Sequence, residues 1–217
     1  MKRIISLFAV LCLLATLAAC GSSAPVQAEP SSAPETSTTQ SPSKAEPSAS
    51  DQTNAEKEKK SLVVYFSWSG NTRNVAESIQ KQTGSDIFEI VPKTPYSTSY
   101  NTVVKDAKAE QQNNARPEIK DSVENIGDYD TIYVGFPNWW GDMPMILYTF
   151  FDTYDLSGKT VALFCTSGGS GLSNTVNEVK NLEPNATVTE GLHIGSGSAA
   201  SPDNAVANWL SEIKAAK

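Results

Sequence analysis

Three apolar runs, each ending in a loop of small polar residues and glycine, constrain this chain more than any other feature of it. Leu62–Phe66 leads into Ser67-Trp68-Ser69-Gly70-Asn71-Thr72, Thr131–Phe136 into Pro137-Asn138-Trp139-Trp140-Gly141, and Thr160–Cys165 into Thr166-Ser167-Gly168-Gly169-Ser170-Gly171. Uninterrupted runs rich in β-branched and aromatic residues are the pattern of strands buried on both faces. A fourth, less buried strand is expected over Asp86–Val91, closed by Pro92, and a short fifth between Thr187 and Ile194. Helical spacing fills the gaps. Val75, Ala76 and Ile79 mark a helix that stops at Gly84, and Tyr100–Asn114 has a weak apolar face of Val103, Val104 and Ala107. Ile146, Leu147, Phe150 and Phe151 follow a helix start at Asp142 and Pro144, a further helix runs to Leu182, and Val206, Trp209, Leu210 and Ile213 follow Asp203. Alternating strands and helices of these lengths specify an α/β fold, a doubly wound five-stranded parallel sheet covered on both faces.

In such sheets ligands bind beyond the carboxyl ends of the strands, where the winding reverses. The three loops all follow strand carboxyl ends and are therefore expected to meet. The first is a phosphate cradle: Ser67, Ser69 and Thr72 bring hydroxyls, Asn71 an amide, and Gly70 the freedom to turn backbone N–H groups inward at a helix start. In the second, Trp139 and Trp140 offer flat aromatic faces and Gly141 allows close approach. Two adjacent loop tryptophans cannot easily both point into a core, so at least one is expected at a ligand. Gly168 and Gly169 in the third leave backbone N–H groups uncovered. A phosphate cradle, apolar ring surfaces and backbone donors for a polar ring edge are together what flavin mononucleotide (FMN) requires.

On these segments, with Pro144 and Phe164 to Gly171, residues 61–217 resemble a flavodoxin, of the short flavodoxin-like kind found in bacterial lipoproteins and small redox proteins. The resemblance implies a strand order of 2-1-3-4-5. It also implies FMN as cofactor, its phosphate held by Ser67, Trp68, Ser69, Gly70, Asn71 and Thr72. The ring would lie between Pro137, Asn138, Trp139, Trp140 and Gly141 on one side and Thr166, Ser167, Gly168 and Gly169 on the other. Many flavodoxins stack a tyrosine from the third loop on the ring; no aromatic residue lies between Thr166 and Leu172 here, which leaves one ring face more open.

Residues 1–60 read differently. Lys2 and Arg3 precede an apolar stretch, Ile4–Leu14, of signal-peptide length, and Leu17-Ala18-Ala19-Cys20 resembles the lipobox of bacterial lipoproteins, whose cysteine is lipidated. Residues 1–20 are thus expected to be a lipoprotein signal peptide, with the exported domain anchored to the bacterial cell membrane by lipid alone. Residues 21–60 are rich in Ser, Pro, Ala, Thr and Glu and read as a disordered linker, about 35 Å from end to end on average as a random coil. Acidic side chains exceed basic ones, giving a formal charge of −7, which argues against a nucleic-acid partner.

The remaining chemistry-bearing residues give less. Cys165 ends a buried strand and reads as inert core. His193 has no neighbouring ligand set, so no metal site is expected. Asp142 reads as a helix N-cap, or as a charge beside the ring that disfavours anionic reduced flavin. Gly195-Ser196-Gly197-Ser198-Ala199-Ala200 fits a dinucleotide pattern formally but lacks its strand and acidic partner, and Gly168–Leu172 misses the hydrolase elbow by its last residue. No residue is expected to act as a catalytic acid or base. The readings left open are an electron carrier serving a redox partner protein or a small-molecule acceptor, an NAD(P)H-dependent quinone or flavin reductase, and a cofactor-free binding module.

Overall fold

The computed structural model describes residues 59–214. The signal peptide, the lipobox at Cys20 and all but the end of the linker lie outside the described residues. The strands are β1 (Ser61–Tyr65), β2 (Asp86–Glu89), β3 (Thr131–Pro137), β4 (Thr160–Ser167), β5 (Thr187–Val188) and β6 (Leu192–Gly195). The helices are α1 (Asn71–Thr83), α2 (Tyr100–Gln112), α3 (Met145–Thr153), α4 (Thr175–Leu182) and α5 (Asp203–Glu212). The sheet runs β2-β1-β3-β4-β5 with every pairing parallel, and β6 also pairs with β4. This is the expected doubly wound order.

Alternation along the central strands explains the two-sided core. Leu62, Val64, Phe66, Ile132, Val134, Phe136, Val161, Leu163 and Cys165 face α3 and α4, whose Ile146, Leu147, Phe150 and Val179 are fully buried. Val63, Tyr65, Tyr133, Ala162 and Phe164 face α1 and α5, meeting Val75, Ile79, Val206 and Trp209. With period-2 geometry, strands covered on both faces favour apolar side chains at successive positions, which is why their central sequences read as continuous apolar runs. At Gly135 the missing side chain makes room: a Cβ there would lie 2.0 Å from Phe164 Cζ.

The fifth strand departs from the expectation of one continuous segment. Val161 pairs with Val188 and Phe164 with Leu192, so β4 advances three residues while its neighbour advances four. The extra residue is a β-bulge, and it reverses which parity faces which side. Val188 packs on the α3/α4 side, whereas Leu192 and Ile194 pack on the α1/α5 side. The bulge is held by Trp209, whose Nε1 donates to the Glu190 carbonyl at 2.9 Å, and by Gly191, where a Cβ would meet Leu172 Cδ1 at 2.7 Å.

Candidate functional site

The chain winds from β1 to β2 on one side of the sheet and then to β3 on the other, so a crevice opens beyond the carboxyl ends of β1 and β3. A cleft of about 550 Å³ lies there, within the range of roughly 300–1,000 Å³ usual for cofactor sites. All three loops reach it. The first contributes Trp68, Ser69 and Asn71, the second Pro137, Asn138, Trp139 and Trp140, and the third Thr166, Ser167 and Gly168.

Five of the expected site residues do not line the cleft. Ser67 Oγ accepts the backbone N–H groups of Gly70 (3.1 Å) and Arg73 (3.3 Å), so this side chain shapes the first loop. Gly70, at φ 88°, turns the chain into α1, whose first-turn N–H groups have no intrahelical acceptor. Thr72 is buried, and its Oγ1 lies 2.9 Å from Thr166 Oγ1, a hydroxyl pair joining the first loop to the third. Gly141 and Gly169 also stand back from the lining. Both take positive φ, 81° and 152°.

The second loop is a tight hairpin. Trp139 N donates to the Asp142 carbonyl at 2.8 Å and Asp142 N to the Trp139 carbonyl at 3.2 Å, with Trp140 (φ 57°) and Gly141 (φ 81°) between them. Two central residues at positive φ are the pattern of a type I′ turn. Asn138 fixes its base: Oδ1 accepts from Gly141 N at 3.0 Å, while Nδ2 donates to Gly171 O and Ser173 Oγ, both at 3.0 Å. The two tryptophans then diverge. Trp139 packs edge-on against Phe66 and Tyr96, whereas Trp140 reaches α2, where Nε1 donates to the Val104 carbonyl at 3.0 Å.

Asp142 is not the helix cap. The helix begins at Met145 behind Pro144, and the Asp142 carboxylate accepts from Met143 N (2.7 Å) and Tyr148 Oη (2.9 Å). Burial pushes the Asp142 carboxyl above its ordinary value, against these two hydrogen bonds, which pull it down. In the third loop Ser167 Oγ accepts from Gly169 N (3.2 Å) and Gly171 N (3.1 Å) and lies 2.8 Å from His193 Nε2, so the Gly169 N–H, expected to be uncovered, is taken up within the loop. Cys165 donates to Gly171 O at 3.1 Å, and burial pushes its thiol up to about 12, the profile of an unreactive core cysteine. Among the described residues no group of three or more His, Cys, Asp or Glu side chains is placed to hold a metal ion.

Sequence reasoning missed one wall. Tyr100, Val103, Val104 and Ala107 of α2 line the cleft, and so does Ser196 just beyond β6. The signal was the weak apolar face of α2, which reads as thin core contact when the ligand is out of view. Trp68 reinforces this side: its Nε1 donates to Ser97 O at 2.9 Å and its ring lies 6.3 Å from that of Tyr100.

The residues present suit a nucleotide with a flat ring system. Hydroxyl, amide and helix-start N–H donors gather at the first loop, aromatic and aliphatic surfaces line the rest of the cleft, and backbone groups of the third loop close it. Fold and cleft together define a ligand-binding protein of the doubly wound class with its site at the switch point. The flavodoxin family model matches residues 60–213, and the chain belongs to that family. A candidate flavoprotein of Bacteroides eggerthii is 35% identical, with a TM-score of 0.64 over 71% of this chain and 98% of that one. A Lactobacillus acidophilus flavoprotein in complex with FMN is 27% identical, with a TM-score of 0.55 over 67% of this chain and 99% of that one. Flavodoxin of Haemophilus influenzae is 32% identical over 104 residues, 46% of this chain and 45% of that protein, and flavodoxin 1 of Salmonella typhimurium 29% over 106, 47% and 46%. The chain thus spans less than half the length of these curated relatives in its matches to them.

Proposed function

We propose that the chain is an FMN-binding electron carrier, exported and held at the bacterial cell membrane by lipid on Cys20, serving a redox partner protein or a small-molecule acceptor. The observation that carries the FMN reading is the convergence of the three loops on one cleft with aromatic walls at the switch point of the sheet. Membership of the flavodoxin family and likeness to a flavoprotein solved with FMN support it. When bound, FMN supplies reversible storage of one or two electrons. The protein's share is to bind and orient. Ser69, Asn71 and the backbone N–H groups of Asn71 and Thr72 at the start of α1 hold the phosphate, Trp139, Trp140 and the α2 face exclude water from the ring, and the Gly168 loop presents backbone groups to its edge. The anchor reading is supported by the sequence around Cys20.

Titrating the apoprotein with FMN tests the cofactor: quenching of flavin fluorescence at one FMN per chain is expected, and a protein that leaves FMN free in solution overturns the reading. Mass spectrometry of the membrane fraction tests the anchor, where an unmodified Cys20 overturns it. Steady turnover of NADPH with a quinone, without added reductase, would replace the carrier reading with that of a reductase.

A further inference from the structure

We propose that Lys108 is a positioning residue for the flavin site: its ammonium group holds the Trp140 indole against α2, so that this wall of the cleft is set before FMN arrives. The proposal rests on the reading of the cleft as an FMN site. Trp140 is 52% exposed and stands at the first central position of a turn, at φ 57°, where a bulky side chain is disfavoured. A side chain so placed needs restraint from outside its own loop. Among the described residues, helix α2 provides both of the polar contacts its indole makes. Nε1 donates to the Val104 carbonyl at 3.0 Å, and Lys108 Nζ lies 4.9 Å from the ring centroid, within reach of a cation–π attraction. Lys108 is itself oriented, its Nζ donating to Gln111 Oε1 at 2.9 Å.

The spacing explains why one helix can do this. Positions 104, 108 and 111 share a face of α2 at i, i+4 and i+7, next to Val103, Val104 and Ala107, which line the cleft. The groups that hold the indole and the α2 side chains beside it in the cleft lining are therefore fixed to the same rigid element. An indole released from Lys108 samples other rotamers, and the apparent affinity for FMN falls by the fraction of molecules that lose the wall.

The test uses the full chain, labelled with ¹⁵N, with the Trp140 indole signal assigned by its loss in Trp140→Phe. In the apoprotein, Lys108→Met is expected to speed hydrogen exchange at the Trp140 indole N–H, and the dissociation constant for FMN is expected to rise roughly two- to fivefold. Lys108→Arg, which keeps the cation, should retain both wild-type values, while the melting temperature of both Lys108 variants stays that of wild type. Lys108→Gln serves if the methionine variant folds poorly. Unchanged indole exchange and unchanged FMN affinity in Lys108→Met, with wild type binding FMN, overturn the role of Lys108 alone. Failure of wild type to bind FMN overturns the cofactor reading, and the functional half of this proposal with it.

Discussion

The Thr72–Thr166 pair shows how a residue's type can be legible while its partner is not. A hydroxyl at the start of a helix after a phosphate-type loop is expected to face an anion, yet Thr72 Oγ1 is buried against Thr166 Oγ1. Nothing in either stretch of sequence signals a partner 94 positions away. Thr72→Val or Thr166→Val alone leaves one buried hydroxyl unpaired and is expected to cost about 1–3 kcal/mol in urea denaturation. The double substitution should cost less than the sum of the two, because the second removes the orphaned group. Trp140 is a different case. The preference of a type I′ turn for asparagine or glycine at this place makes tryptophan there a sign of a task that outweighs the backbone cost of roughly 1–3 kcal/mol.

At the scale of elements, β1, β3 and β4 were legible because burial on both faces leaves only apolar choices, and α1 because its face repeats cleanly until Gly84. The fifth strand was legible in place but not in form, since a bulge leaves no composition of its own and shows only as a parity shift between Val188 and Leu192. Helix α2 was legible as a helix but not as a wall of the cleft. Gly135 gives a sharp check on the central pairing. An added Cβ would sit 2.0–2.2 Å from atoms of the fully buried Phe164 ring, so Gly135→Ala is expected to destabilise by about 3 kcal/mol or more. Combining it with Phe164→Leu should recover part of that loss in thermal or urea unfolding, and equal stability of Gly135→Ala and wild type would refute the close approach.

For the whole molecule, the carboxyl groups decide how stability follows pH. Burial raises Asp142, Glu110 and Glu183 above their ordinary values, while Tyr96 and Tyr148, which donate to Glu110 and Asp142, are pushed up as well. A carboxyl with a higher pKa folded than unfolded binds protons more readily in the folded state. Its contribution is therefore present below its unfolded value and lost as pH rises through its folded value. Exposed Glu118 and Asp155 are shifted the other way by Lys93 and Ser157, but solvent screens them. Self-repulsion from a formal charge of −7 acts in the same direction as the buried group. Urea midpoints are therefore expected to be higher just above the ordinary carboxylate range than at neutral pH. Asp142→Asn should flatten part of that profile, because the amide does not titrate, while it can still accept from Met143 N and donate to Tyr148 Oη.

The bulge beside β4 has a further consequence for self-association. A parallel sheet ends in two rows of unpaired backbone groups, and a long, regular edge is a template on which another chain can add a strand. Here one edge is β2, four residues long with Asp86 and Glu89 at its ends, and the other is divided between the two residues of β5 and the four of β6. Neither reaches the usual strand length of about five to six residues. The irregularity that turns Leu192 and Ile194 to the correct face thus also divides this edge into two short segments, a poor template for edge-to-edge pairing.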